Sequence, residues 1–117
     1  MFDKPYLVYI LTNLQKTVLY TGVTNSLKDR IIEHYQQRSN PKTFAGKYRT
    51  HYLLYYECFD HIVDAIRREK QIKGWSRKRK MLLINKLNSE LSFLNEDLFG
   101  TWPPKHIAGE GSCDLTL

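Results

Sequence analysis

The chain has 117 residues, 42% hydrophobic and 26% charged, the balance of one globular domain with a single core. Its 18 lysines and arginines against 12 acidic residues give +6, unevenly spread: residues 1–89 carry 17 basic and 7 acidic groups, or +10, and residues 90–117 carry 1 and 5, or −4. Two cysteines, Cys58 and Cys113, exclude a disulfide scaffold or a thiolate metal site, and the apolar run Tyr6–Leu11 is too short to span a bilayer.

Residues 5–12 and 17–23 are rich in Tyr, Val, Leu and Ile and read as strands, with Asn13–Lys16 as the turn. Asn25 or Ser26 then caps a helix whose buried stripe is Leu27, Ile31 and Tyr35. Residues 37–51, with Pro41, Gly46 and no period, read as a basic loop, and residues 52–59 as a third strand. Asp60 caps a helix over 61–73, which Gly74 ends at a C′ position. Ser76 opens a further helix with Leu83, Leu87, Leu91 and Leu94 on one stripe. From Gly100 the periodicity is lost, and an irregular or mobile tail is expected. The order is β-β-α-β-α-α: a hairpin and one more strand with helices packed on a small sheet, an α+β domain.

A basic body with an acidic tail suggests a polyanionic partner for the body, although charge alone fits a merely soluble basic protein too. With two free thiols, no membrane segment and no leader-like start at Asp3, Lys4 and Pro5, a cytoplasmic location is the expectation.

Four features carry chemistry. A turn of residues 13–16 pairs Tyr9 with Tyr20, their hydroxyls converging on one face beside the open backbone of Gly22; the same pair is also an ordinary hairpin-packing device. Arg30 and His34 stand one helical turn apart at the edge of the buried stripe, where a guanidinium binds phosphate oxygens and an imidazole moves a proton near neutral pH. Glu69 lies about 20° from Ile62 on the helical wheel, inside an apolar arc of Ile62, Ala65, Ile66 and Ile72. A carboxylate there needs a partner, either an ion pair, a hydrogen-bond network or a divalent metal. Arg67, Arg68, Lys70, Lys73, Arg77, Lys78, Arg79 and Lys80 form a basic run around Trp75, either a solvated face or a surface that tracks phosphates, which Lys42, Lys47 and Arg49 extend. Trp75 is a core anchor at the helix junction or a base-stacking ring.

Together these features resemble the GIY-YIG nuclease family, and above all its small single-domain bacterial members. Residues 8–10, VYI, match the position of the first motif and residues 20–22, YTG, that of the second, with Val8 and Thr21 as departures. Residues 27–34, LKDRIIEH, are similar to the helix bearing the family's catalytic Arg and His. Residues 65–80 are similar to the segment with its metal-binding Glu. The resemblance implies a three-stranded antiparallel sheet flanked by helices. It divides the chain into a nuclease-like domain over 1–90 and an extension over 91–117, helical at first and then irregular and acidic. It further implies a metal-dependent DNA endonuclease, with RNA not excluded as substrate and a repair or recombination role to match. Tyr9, Tyr20, Arg30 and His34 would be catalytic, Glu69 would hold one Mg²⁺ or Mn²⁺, and Lys47 with the basic run would bind nucleic acid. The alternative is a nucleic-acid-binding module that keeps the fold and cleaves little or nothing.

Overall fold

The computed structural model describes residues 5–104. Three strands, β1 (Tyr6–Thr12), β2 (Leu19–Thr24) and β3 (Tyr52–Phe59), form an antiparallel sheet in the order β2-β1-β3. Five helices accompany the sheet among the described residues: α1 (Leu27–Gln36), α2 (Phe44–Tyr48), α3 (Ile62–Lys73), α4 (Arg77–Leu87) and α5 (Asn95–Phe99). The expected α+β architecture is present, with two five-residue helices added to the expected order.

The central strand explains the continuous apolar run of β1. Val8 and Ile10 point to one side, where they pack with Ala65 and Ile72 of α3 and Ile84 of α4. Tyr9 and Leu11 point to the other, toward Leu27 and Ile31 of α1, with Leu94, Leu98 and Trp102 closing that layer. Both faces are covered, so Val8, Tyr9, Ile10 and Leu11 have no exposed surface. Between Ile10 and Leu11 the pairing of β1 with β3 steps by one residue. The step leaves Leu54 as an extra residue, and both Leu54 and Tyr55 join the α3–α4 core.

The hairpin register differs from expectation. Tyr9 pairs with Gly22 and Leu11 with Tyr20, because the connection spans residues 13–18 and not 13–16. Asn13 is the cause. Its side-chain oxygen accepts the amides of Thr17 (2.8 Å) and Val18 (3.3 Å), and its amide donates to the Thr17 hydroxyl (2.7 Å). Those groups are thereby withdrawn from the ladder. Since the slip is two residues, both tyrosines still project from the same face.

Other boundaries moved for equally local reasons. Residues 37–51 contain α2, capped by Thr43, whose hydroxyl accepts the Gly46 amide at 2.9 Å. A β-carbon on Gly46 would overlap the Asn40 and Gln37 carbonyls, so only glycine lets α2 sit against the preceding loop. The N-cap of α3 is His61 and not Asp60, and Gly74 stays right-handed at φ −79°. Ser76 caps α4 as expected, accepting the Arg79 amide at 3.2 Å. That helix stops at Leu87, which is 76% exposed, so the four-leucine stripe does not exist. Leu91 turns left-handed at φ 54°, and Asn95 of α5 is buried instead. Its side chain accepts the Leu53 amide (2.7 Å) and donates to the His51 carbonyl (2.9 Å), bonding this segment to β3. Gly100–Pro104 are irregular; the rest of the expected tail, with Cys113, lies outside the described residues, and Cys58 is an exposed free thiol.

Candidate active site

Helix α1 packs on the Tyr9 face of the sheet through Leu27 and Ile31, which turns Arg30 and His34 toward the hairpin. Tyr20, Arg30, Glu33 and His34 line one wall of a cavity of about 350 Å³, and Thr43 and Phe44 of the α2 segment line another. Three of the four residues expected to be catalytic thus share one cavity, and the fourth lies directly beside it. The rings of Tyr9 and Tyr20 are 6.3 Å apart, and Tyr20 meets the His34 ring edge-on at 4.9 Å.

Tyr9 is fully buried, and no hydrogen bond satisfies its hydroxyl among the described residues. Its ring lies across Gly22, where an added β-carbon would overlap the hydroxyl and stand 2.5 Å from Cζ. Burial, with Tyr20 beside it, pushes the phenol well above its ordinary value, and the Arg30 guanidinium opposes the shift. The phenol is therefore protonated at neutral pH and available as a donor.

His34 is 7% exposed. Its Nδ1 lies 2.8 Å from the Thr50 carbonyl, which can only accept, so Nδ1 carries the proton and Nε2 the lone pair. Burial lowers the imidazole below its ordinary value, with the Thr50 bond opposing and nearby Arg30 assisting. His34 is thus neutral at pH 7, with a basic nitrogen. The backbone that presents the Thr50 carbonyl is bent by Arg49, in the left-handed region at φ 55°. Nothing in the sequence marks that carbonyl, and it was missed. Arg30 reaches Glu33 at 3.1 Å in an exposed pair that leaves most of the guanidinium available.

Glu69 is 8% exposed, with Ala65 and Ile72 the other buried residues of α3. The buried stripe is centred on 65, 69 and 72, since Ile62 and Ile66 are 40% and 37% exposed. Its carboxylate pairs with Lys73 one turn on. α3 packs on β1 and β2, but Glu69 is not among the residues lining the cavity. Among the described residues no three His, Cys, Asp or Glu side chains cluster as a metal site.

The basic run divides. Arg68 forms a two-pronged pair with Glu57 (both contacts 2.9 Å), and the Glu57 carboxylate also accepts from Tyr55. Burial would raise that carboxyl, but Arg68 and Tyr55 outweigh it and hold it below the usual range. Arg77 donates to the Lys16 and Thr17 carbonyls (2.6 and 3.0 Å) and ties α4 to the hairpin loop. Arg79 stacks on Trp75 at 4.2 Å, Trp75 packs against the core, and Arg67 reaches Asp64 at 3.8 Å. Lys70, Lys78 and Lys80 make no ion pair among the described residues, nor does Lys47 on α2.

His51, 5% exposed, has no hydrogen-bond partner for Nδ1 among the described residues. Burial, together with the charges of Arg38 and Arg49 and of His34 once acid protonates it, holds its imidazole down at about 4, from an ordinary 6.5. Between those values the unfolded chain binds a proton that the folded protein refuses, so stability falls as pH drops through that window. The expected loss from pH 7 to pH 4 is about 3 kcal/mol from this residue. Denaturant titrations at stepped pH, wild type against His51→Phe, measure it; equal slopes in the two proteins would assign the acid sensitivity elsewhere.

A family model described as the GIY-YIG catalytic domain matches residues 5–87. A UPF0213 protein of Bacillus pumilus (strain SAFR-032) is 35% identical over 78 residues, covering 67% of this chain and 78% of its own. One from Pediococcus acidilactici is 38% identical over 79 residues, 68% of this chain and 80% of its own. One from Staphylococcus saprophyticus is 35% identical over 83 residues, 71% and 96% respectively. The solution NMR structure of a UPF0213 protein from Bacillus halodurans shares 27% identity over 72% of this chain and 86% of that one, with a TM-score of 0.46.

Proposed function

The chain belongs to the GIY-YIG family, and from that membership we propose that it is a divalent-metal-dependent endonuclease hydrolysing phosphodiester bonds in DNA. The observation that carries the reading is the cavity shared by Tyr20, Arg30 and His34, with Tyr9 beneath it. Phosphodiester hydrolysis needs a water deprotonated in line with the leaving oxygen and positive charge on the phosphoryl oxygens. Arg30 supplies the charge, holding the scissile phosphate by its exposed guanidinium edge. His34 Nε2, neutral and unprotonated at pH 7, accepts the proton of the attacking water, and its Nδ1 bond to Thr50 holds the ring in place while charge builds. Tyr20 orients that water through its hydroxyl. Tyr9, fully buried beside that cavity and kept protonated, backs the Tyr20 ring and holds it in position.

Glu69 would hold the metal. A lone, nine-tenths-buried carboxylate suits a hard cation completed by water and phosphate, and its charge is balanced by Lys73 one turn on. Such an ion supplies Lewis acidity at the leaving oxygen when bound.

The test is nicking of supercoiled plasmid with Mg²⁺ or Mn²⁺. Glu69→Gln is expected to nick at least about a hundredfold more slowly than wild type, with an unchanged melting temperature. Wild type that shifts the plasmid in a salt-sensitive gel but leaves it intact would instead support the binding-module reading. Glu69→Gln nicking at the wild-type rate would overturn the assignment of this carboxylate.

A further inference from the structure

Behind α2 lies a second, larger cleft, of about 680 Å³, that the proposed chemistry does not use. Arg38, Lys47 and Arg49 line it together with Tyr35, Tyr48 and Tyr52, and no carboxylate does among the described residues. Among the described residues none of these three cations makes an ion pair. His51 lines the same cleft as a buried wall, with Nδ1 unpartnered. Uncompensated positive charge in a concave, ring-lined site calls for an anion that carries flat, apolar surface.

The cleft is joined to the cutting cavity by a row of aromatic rings. Tyr20 stands 5.2 Å from Phe44, and Phe44 stands 4.6 Å from Tyr48. Phe44 and Tyr48 are 43% and 36% exposed, and the Lys47 ammonium lies 5.2 Å over the Tyr48 ring. A duplex offers phosphates to such a surface but keeps its bases stacked on one another, so exposed rings add nothing to its binding. An unpaired strand offers a base to each ring and a phosphate to each neighbouring cation. We propose that α2 and the cleft behind it bind an unpaired segment of the DNA strand, its bases on Phe44 and Tyr48 and its phosphates on Lys47, Arg38 and Arg49. The substrate on this view is DNA with single-stranded character beside the cut. The inference rests on the nuclease reading only for where the cut falls.

The experiment compares binding of three labelled DNAs in EDTA by fluorescence anisotropy: an oligothymidine of about twelve nucleotides, an abasic strand of equal length, and the matching duplex. Wild type is expected to prefer oligothymidine over both others by about tenfold. Tyr48→Leu keeps an apolar side chain but loses the aromatic face and is expected to erase the preference over the abasic strand. Arg49→Asn suits the left-handed backbone and is expected to weaken oligothymidine and abasic strand alike. Abasic or duplex DNA binding as tightly as oligothymidine, or Tyr48→Leu retaining the preference, would overturn the proposal. Because no metal is present, the outcome is independent of cleavage. A protein that keeps the preference but never nicks loses only the nuclease reading, and one that nicks without the preference loses only this inference.

Discussion

Replacing Arg30 with alanine is expected to slow single-turnover DNA nicking by about a hundred- to a thousandfold while leaving the fold intact. The size follows from position. Arg30 is the one cation among the described residues lining the cavity with Tyr20 and His34, so under the proposed mechanism its loss removes the charge that would balance the pentacoordinate phosphate. The fold is spared because the lost contact is an exposed pair with Glu33, worth less than about 1 kcal/mol. Loss of Arg30 also removes the charge that opposes the upward shift of the Tyr9 phenol. Arg30→Lys keeps the charge but not the two-pronged geometry, and is expected to recover only part of the rate. Glu33→Ala is the control, since it frees the guanidinium without removing it. The measurement is rapid mixing with excess enzyme. An Arg30→Ala protein that cuts within a few-fold of wild type would mean that the phosphate is held elsewhere.

The second large effect concerns a residue with no side chain. Gly22→Ala is expected to cost about 1–3 kcal/mol of stability and to depress cleavage as well. Its β-carbon would overlap the Tyr9 hydroxyl and stand 2.5 Å from Cζ and 3.0 Å from Cε2. Tyr9 is fully buried on the central strand and cannot swing into solvent, so the ring must be driven off its position beside Tyr20. A double-mutant cycle separates this from a general intolerance of β2. In a Tyr9→Leu background the clashing atoms are gone, and Gly22→Ala should become milder by at least about 1 kcal/mol. Denaturant unfolding of the four proteins gives the coupling. If the two substitutions prove additive, the ring is not what forbids a side chain at position 22.

Where the sequence was misread, the deciding contact is a side-chain hydrogen bond, a close backbone approach or an ion pair that polarity and periodicity do not display. The hairpin connection is set by Asn13 capping two amides, and a turn counted from polarity alone stops two residues short. α2 is too short to show a helical period and stands because Gly46 lets it approach Asn40 and Gln37. The leucine series after Ser76 has perfect helical spacing, but Asn88 ends the helix by donating to the Leu54 and Ser92 carbonyls. Arg68 reads as one more cation in a basic run until β3 brings Glu57 beside it.

What the sequence determined by itself is the chemistry carried by regular elements. Periods of two and 3.6 residues fix which side chains share a face, so Tyr9 with Tyr20, Arg30 with His34, and Glu69 on a buried stripe were all legible. A register slip of two preserved the tyrosine face, which is why that reading survived a wrong turn length. Tertiary structure decided the protonation and the surroundings. The Thr50 carbonyl that selects the His34 tautomer is 16 residues away in sequence. The burial that keeps Tyr9 protonated needs α1 closed over the sheet. The second cleft exists because the chain after α1 and the α2 segment bring Arg38, Lys47 and Arg49 to one concavity facing the hairpin connection. Electrostatics and desolvation depend on distance in space, and a one-dimensional pattern carries no distance beyond its own helix or strand.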